Sequence, residues 1–149
     1  MFQNYECILV GIDGSRQAFE AFKVACAIAK RNQAFLLAVH VIDQNLPRMI
    51  GFSPINDSLY DREEKLAESY LSVCREYAYE NHFAPLKTLV VQGSARSVLV
   101  DELPQKYRVD LIVVGQSGLH ALERVMIGSV ADYVIHQASC DCLIVPYKC

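Results

Sequence analysis

Five short apolar runs, separated by stretches of helical period, constrain the fold of this chain more than any other feature. They are Cys7-Ile8-Leu9-Val10-Gly11-Ile12, Ala34 to Ile42, Leu86 to Gln92, Asp110 to Val114 and Cys142 to Pro146. A strand wet on one face alternates polar and apolar residues, whereas near-continuous apolarity marks burial on both faces and hence a parallel sheet. After the first run, Ser15 is placed to cap a helix whose apolar side is Ala18, Phe19, Phe22, Ala25, Cys26 and Ala29. A long helix from about Asp57 to Asn81 sets Leu66, Tyr70, Val73 and Tyr77 on one stripe. A third begins near Ser94 with Val98, Leu99 and Leu103 inward; the nitrogen of Pro104 cannot donate to Val100, so an irregular last turn is predicted. Ser129 to His136 reads as the fourth.

Five strands alternating with four helices predict an α/β fold: one domain over residues 1–149, built on an open, doubly wound five-stranded parallel sheet with helices on both faces. Strand order 3-2-1-4-5 brings the first and fourth strands together at the switch point. The segment from Asp43 to Asp57 contains Pro47, Gly51 and Pro54, follows neither period, and predicts a mobile flap.

Composition narrows the function. With 149 residues, a net charge of −3 and no basic stripe, the chain lacks the footprint of a nucleic-acid binder. No apolar run approaches the roughly 20 residues that cross a bilayer, and Met1 to Glu6 lacks the basic and apolar regions of a signal peptide, so a cytoplasmic protein without membrane contact is expected. Of six cysteines, Cys7, Cys26 and Cys74 fall on core-facing positions and are read as reduced core thiols. Cys140-Asp141-Cys142 lacks a second ligand pair at zinc spacing and is not a Cys-x-x-Cys redox pair.

The chemistry gathers at strand ends. Gly115-Gln116-Ser117-Gly118 follows the fourth strand, and Gly128-Ser129 opens the last helix. Glycines at 115 and 118 permit a sharp turn, and a helix N-terminus at Gly128-Ser129 offers free amides to an anion. Glycines after a strand are often plain turn residues. The second turn, Asp13-Gly14-Ser15 after the first strand, makes the spacing informative, because two such turns frame a nucleotide crevice in an open α/β sheet.

These residues resemble the universal stress protein family, in its ATP-binding branch. The signature of that branch is Gly, two residues, Gly, nine residues, Gly, then Ser or Thr, and Gly115, Gly118, Gly128 and Ser129 match it in full. The similarity extends to Ile8 through Ser15, His40-Val41-Ile42, Asp110 to Gly115 and Cys142 to Pro146. The resemblance implies that Ile12, Asp13 and Val41 lie around adenosine, with main chain near Val41 reading the base edge. It places Gly115, Gly118, Gly128, Ser129 and Val130 around ribose and phosphates, and Ser117 beside them. ATP, alone or with Mg or Mn, is the implied ligand, with Asp13 hydrogen-bonding adenosine or holding the cation. A homodimer through the C-terminal strand is also implied. Two departures stand out: Ala131, where many relatives carry a second hydroxyl, and Ser117, which brings no positive charge. Arg124 is a candidate to compensate.

No catalytic residue is assigned. The chain has no Gly-x-x-x-x-Gly-Lys-Ser/Thr loop, no Gly-x-Ser-x-Gly elbow and no His-Glu-x-x-His helix. His40 reads as a hydrogen-bonded core histidine and His82, His120 and His136 as surface residues, with only His120 inside the motif loop. The leading expectation is an ATP-binding regulatory protein of the stress response; the alternative is a slow, metal-assisted ATP hydrolase. A flavodoxin-like or receiver-like domain is a third reading, since fold alone does not settle function.

Overall fold

The computed structural model describes residues 4–43, 49–50, 53–54, 57–118 and 126–146. Its elements in chain order are β1 (Cys7–Gly11), α1 (Arg16–Asn32), β2 (Phe35–Asp43), β3 (Met49–Ile50), β4 (Ser53–Pro54), α2 (Asp57–Glu80), β5 (Leu86–Gly93), α3 (Ala95–Ser97), a π-helical turn (Val98–Glu102), α4 (Leu103–Tyr107), β6 (Leu111–Gly115), α5 (Ser129–Gln137) and β7 (Asp141–Val145). The large sheet is parallel throughout, as the apolar runs predict, in the order β5-β2-β1-β6-β7, which is the expected 3-2-1-4-5 arrangement.

Side chains of each strand serve two cores by turns. Ile8, Val10 and Ile12 pack with Phe22, Ala25 and Leu71 on the α1/α2 face, while Cys7 and Leu9 pack with Leu99, Leu103 and Val134 on the other. Phe22, Ile8 and Leu9 are fully buried, and each such side chain contributes about 1.5–3 kcal/mol by leaving water. Helix α1 starts as its sequence dictates: Ser15 accepts from the Ala18 amide at 3.1 Å, and Gln33 closes the other end in the left-handed conformation.

Three expectations need correction. The inward stripe of α2 is Ala67, Leu71, Cys74 and Ala78, all buried, whereas Leu66 and Val73 are 41% and 48% exposed and Tyr70 and Tyr77 are half-buried. Both sets share the same helical spacing one residue apart, and Tyr70 and Tyr77 flank the inward stripe, packed against the same core. The irregularity foreseen at Pro104 falls in the preceding turn. There Leu103 donates to Val98, a bond one residue longer than the α type, and the helix then continues to Tyr107 with Pro104 in the first turn of α4, where its missing donor costs nothing. In the segment read as an aperiodic flap, Met49–Ile50 and Ser53–Pro54 form an antiparallel pair; the rest of it lies outside the described residues.

Candidate functional site

The strand order reverses its direction between β1 and β6, with β2 and β5 to one side and β7 to the other. Above that boundary the chains leaving β1 and β6 diverge and leave a crevice. It is a cleft of about 650 Å³. All nine residues singled out from the sequence line it: Ile12, Asp13, Val41, Gly115, Ser117, Gly118, Gly128, Ser129 and Val130. So do Gly11, Val39, Asp43, Leu99, Gln116, Met126 and Ile127, to which sequence reading gave no ligand role.

The β1 wall is held by its own hydrogen bonds. The Ile12 amide donates to Val39 at 2.7 Å, its carbonyl lies 2.7 Å from His40 Nδ1, and the Ser15 amide donates to Asp13 Oδ1 at 2.8 Å. Aspartate commonly closes a turn in this way on the amide two residues ahead. Gly14 has φ +87°, and a Cβ there would fall 2.5 Å from the Tyr70 ring, so only glycine fits. Asp13 Oδ2 is left pointing across the cleft, 2.5 Å from where a Cβ on Gly118 would sit. The two turns meet.

The β6 wall is built from main chain. Gln116 joins it to β7 by donating to Val145 at 2.8 Å, and its carbonyl accepts the Gly128 amide at 2.7 Å. The Gly128 amide, expected among the anion donors, is therefore used internally. Gly128 instead caps α5 without a side-chain bond. Helix geometry leaves the amides of Ser129, Val130 and Ala131 without acceptors inside the helix, at its positive end. Gly115, Gly118 and Gly128 do not adopt left-handed backbone, so their lack of a side chain matters for approach rather than torsion. At Gly115 a Cβ would crowd Gln17 at 3.1 Å, and at Gly128 it would crowd Ser117 Cα at 3.2 Å. Ser117 lines the cleft, but it is buried and its hydroxyl accepts from Gln17 Nε2 at 3.4 Å.

Two carboxylates, Asp13 and Asp43, border the cleft, and no Lys or Arg does so among the described residues. Arg124 and His120 lie outside those residues. Among the described residues no group of three or more His, Cys, Asp or Glu side chains is gathered for a metal ion. His40 is half-buried rather than in the core, and it sits on the sheet face opposite Val39 and Val41. His82 and His136 are exposed, and His136 Nδ1 donates to the Asp132 carbonyl of its own helix at 2.8 Å. Cys7, Cys26 and Cys74 are free and buried away from the cleft; burial pushes their thiols up to about 11, 12 and 12. No helix among the described residues is long and apolar enough to cross a membrane.

The model of the universal stress protein family matches residues 4–146. A putative universal stress protein of Staphylococcus aureus strain USA300 is 36% identical over 143 residues, covering 95% of this chain and 84% of that protein. Among solved structures, universal stress protein UspA from Lactobacillus plantarum superposes with a TM-score of 0.71 at 27% identity, covering 97% of this chain and 99% of its own. A universal stress protein crystallised in complex with cAMP gives a TM-score of 0.68 at 25% identity, covering 96% and 98%. Sequence, topology and cleft agree, and the chain belongs to the universal stress protein family.

Proposed function

We propose that the cleft binds an adenine nucleotide, ATP in the first place, and that the protein acts in stress physiology as a nucleotide-occupied regulator rather than as an efficient enzyme. The observation that carries this reading is the meeting of Asp13 with Gly118 opposite the free amides of Ser129 and Val130, within one cleft. An anion approaching Gly118 meets no side chain from that residue, and it faces the N-terminus of α5. The apolar end, lined by Val39, Val41 and Leu99, suits a flat heterocycle. The cAMP complex of a relative supports a nucleotide in this family.

The charge of the cleft bears on the cation. A triphosphate brought beside the Asp13 carboxylate, in a cleft that no Lys or Arg lines among the described residues, favours entry as a complex with Mg or Mn. Magnesium is commonly held by one or two carboxylates together with substrate phosphates, and Asp13 is the carboxylate that the cleft brings up to the Gly118 turn. The Asp13 carboxylate also favours the second reading, slow metal-assisted hydrolysis of ATP, because it is a group able to hold the cation or to orient a water.

Titrating nucleotide-stripped protein with ATP by calorimetry, with and without Mg, tests the proposal. Saturable heat with one site per chain is expected, larger in affinity when Mg is present; no saturable heat at millimolar ATP overturns it. Release of phosphate above background, lost in Asp13→Asn, selects the hydrolase. Among the described residues β7 pairs only with β6 and stands at the edge of the sheet, with Asp141 and Cys142 exposed and Leu143 and Ile144 half-buried. An uncovered edge of this kind invites pairing, and a homodimer through β7 is proposed with it. A monomeric mass by light scattering removes that part.

A further inference from the structure

His40 has no place in the cleft, yet it is tied to the residue that opens it. Its Nδ1 lies 2.7 Å from the Ile12 carbonyl, which belongs to the peptide linking Ile12 to Asp13. A carbonyl oxygen only accepts, so Nδ1 carries the hydrogen and the imidazole is the donor. On its other side the ring faces Tyr70 of α2, with centroids 5.6 Å apart and planes at 56°. The same Tyr70 ring covers Gly14 so closely that a Cβ there would lie 2.5 to 2.8 Å from its carbons. One side chain from β2 and one from α2 therefore grip the turn on both sides of Asp13, from the sheet face opposite the cleft.

We propose that His40 and Tyr70 are positioning residues that hold the Ile12-Asp13-Gly14 turn so that the Asp13 carboxylate stays aimed at Gly118. The His40 bond fixes the plane of the peptide entering Asp13, and the Tyr70 ring fixes the peptide leaving it. The bond from the Ser15 amide to Asp13 Oδ1 then leaves Oδ2 one direction in which to point. Preorganisation of this kind acts on affinity by removing the ordering cost at the moment of binding. His40 touches no ligand in this scheme. It acts through main chain, and Tyr70 acts through its ring rather than its hydroxyl.

The affinity arm of the test rests on the nucleotide reading, while the exchange arm stands without it. His40→Leu keeps the bulk and removes the donor; His40→Asn restores a donor at the position of Nδ1. Hydrogen exchange at the Ile12 and Ser15 amides of the ligand-free protein is expected to speed up about tenfold in His40→Leu, and ATP affinity to fall about tenfold, the equivalent of about 1.4 kcal/mol. His40→Asn is expected to return both toward the wild-type values, a rescue that mere loss of packing does not show. Tyr70→Phe should match wild type and Tyr70→Leu should repeat the His40→Leu result, which keeps the test open if either variant folds poorly. Unchanged exchange at Ile12 and Ser15 in both leucine variants overturns the clamp. Faster exchange with unchanged affinity overturns its coupling to the cleft. Failure of the wild type to bind ATP removes the nucleotide reading and leaves the exchange result to decide the clamp.

Discussion

The two walls of the cleft are made in opposite ways. The β1 wall presents a side chain, Asp13, whose direction is set by hydrogen bonds and by rings packed from behind. The β6 wall presents peptide: the absence of side chains at Gly118 and Gly128 and the open first turn of α5. The difference teaches where specificity and affinity reside. A charged side chain discriminates between ligands with and without a cation, whereas amides at a helix start attract anions of any kind. Two walls of the second type would make a general anion site. On the proposed nucleotide reading, pairing one of each would make a site sensitive to what accompanies the phosphate.

The severest way to break the pairing is to fill the gap between the walls. Gly118→Leu places carbon where Asp13 Oδ2 already lies, 2.5 Å from the new Cβ, so the walls are forced apart. ATP binding is expected to fall by at least about a hundredfold, or about 2.7 kcal/mol, while circular dichroism stays native-like because the position is in a loop. Normal binding by this variant would show that phosphate does not pass Gly118. A smaller effect is expected from removing only the charge. Asp13→Asn retains an oxygen for the Ser15 amide and so keeps the turn. Relieved of one like charge, the cleft should bind metal-free ATP severalfold more tightly, and the gain from Mg should shrink, both read by calorimetry. Loss of binding regardless of Mg would instead assign Asp13 a direct bond to the nucleoside.

The smallest effect concerns the cores behind the walls. Burial raises the thiols of Cys26 and Cys74 to about 12 and that of Cys7 to about 11, from an ordinary value of 9.0. The folded state thus keeps these protons where the unfolded chain releases them. Their contribution to stability is complete below pH 9 and is lost as pH rises toward 12. Melting temperature measured from pH 6 to 8.5 should show no decline from these groups, and a decline should set in above pH 9. In Cys74→Ala the alkaline decline should be shallower; a slope equal to that of the wild type would mean the thiol is not the cause.

Most of the sheet was legible because burial on both faces leaves an unmistakable apolar run, as in Leu9 and Val10 or Ile112 and Val113. The order observed is the one expected, a common doubly wound arrangement, although alternation of strand and helix alone does not single it out from the other common order. Helix α2 was misread by one residue, since Leu66 and Val73 repeat with the same period as Leu71, Cys74 and Ala78, and size pointed to the wrong stripe. The π turn was half legible: Pro104 announces a missing donor, but only packing decides that the helix absorbs it one turn earlier and keeps Val98, Leu99 and Leu103 buried. In the cleft, glycine spacing and the Asp13 turn were readable as motifs. Asp43 and Leu99 were not, because each joins the cleft from an element whose sequence signal is that of a sheet end or a core face. The capture of the Gly128 amide by Gln116 depends on a contact between residues twelve positions apart and leaves no trace in spacing.

The central claim is that amides at Gly118, Ser129 and Val130 face the phosphates while Asp13 faces them from the other wall. A nitrogen–proton NMR titration of the 15N-labelled protein with ATP and Mg reads those amides one by one. The largest shifts are expected at Gly118, Ser129 and Val130, with smaller ones at Asp13 and Val41 and none on the outer face of α2. Saturable binding that leaves Gly118, Ser129 and Val130 unmoved would place the nucleotide elsewhere and contradict the account.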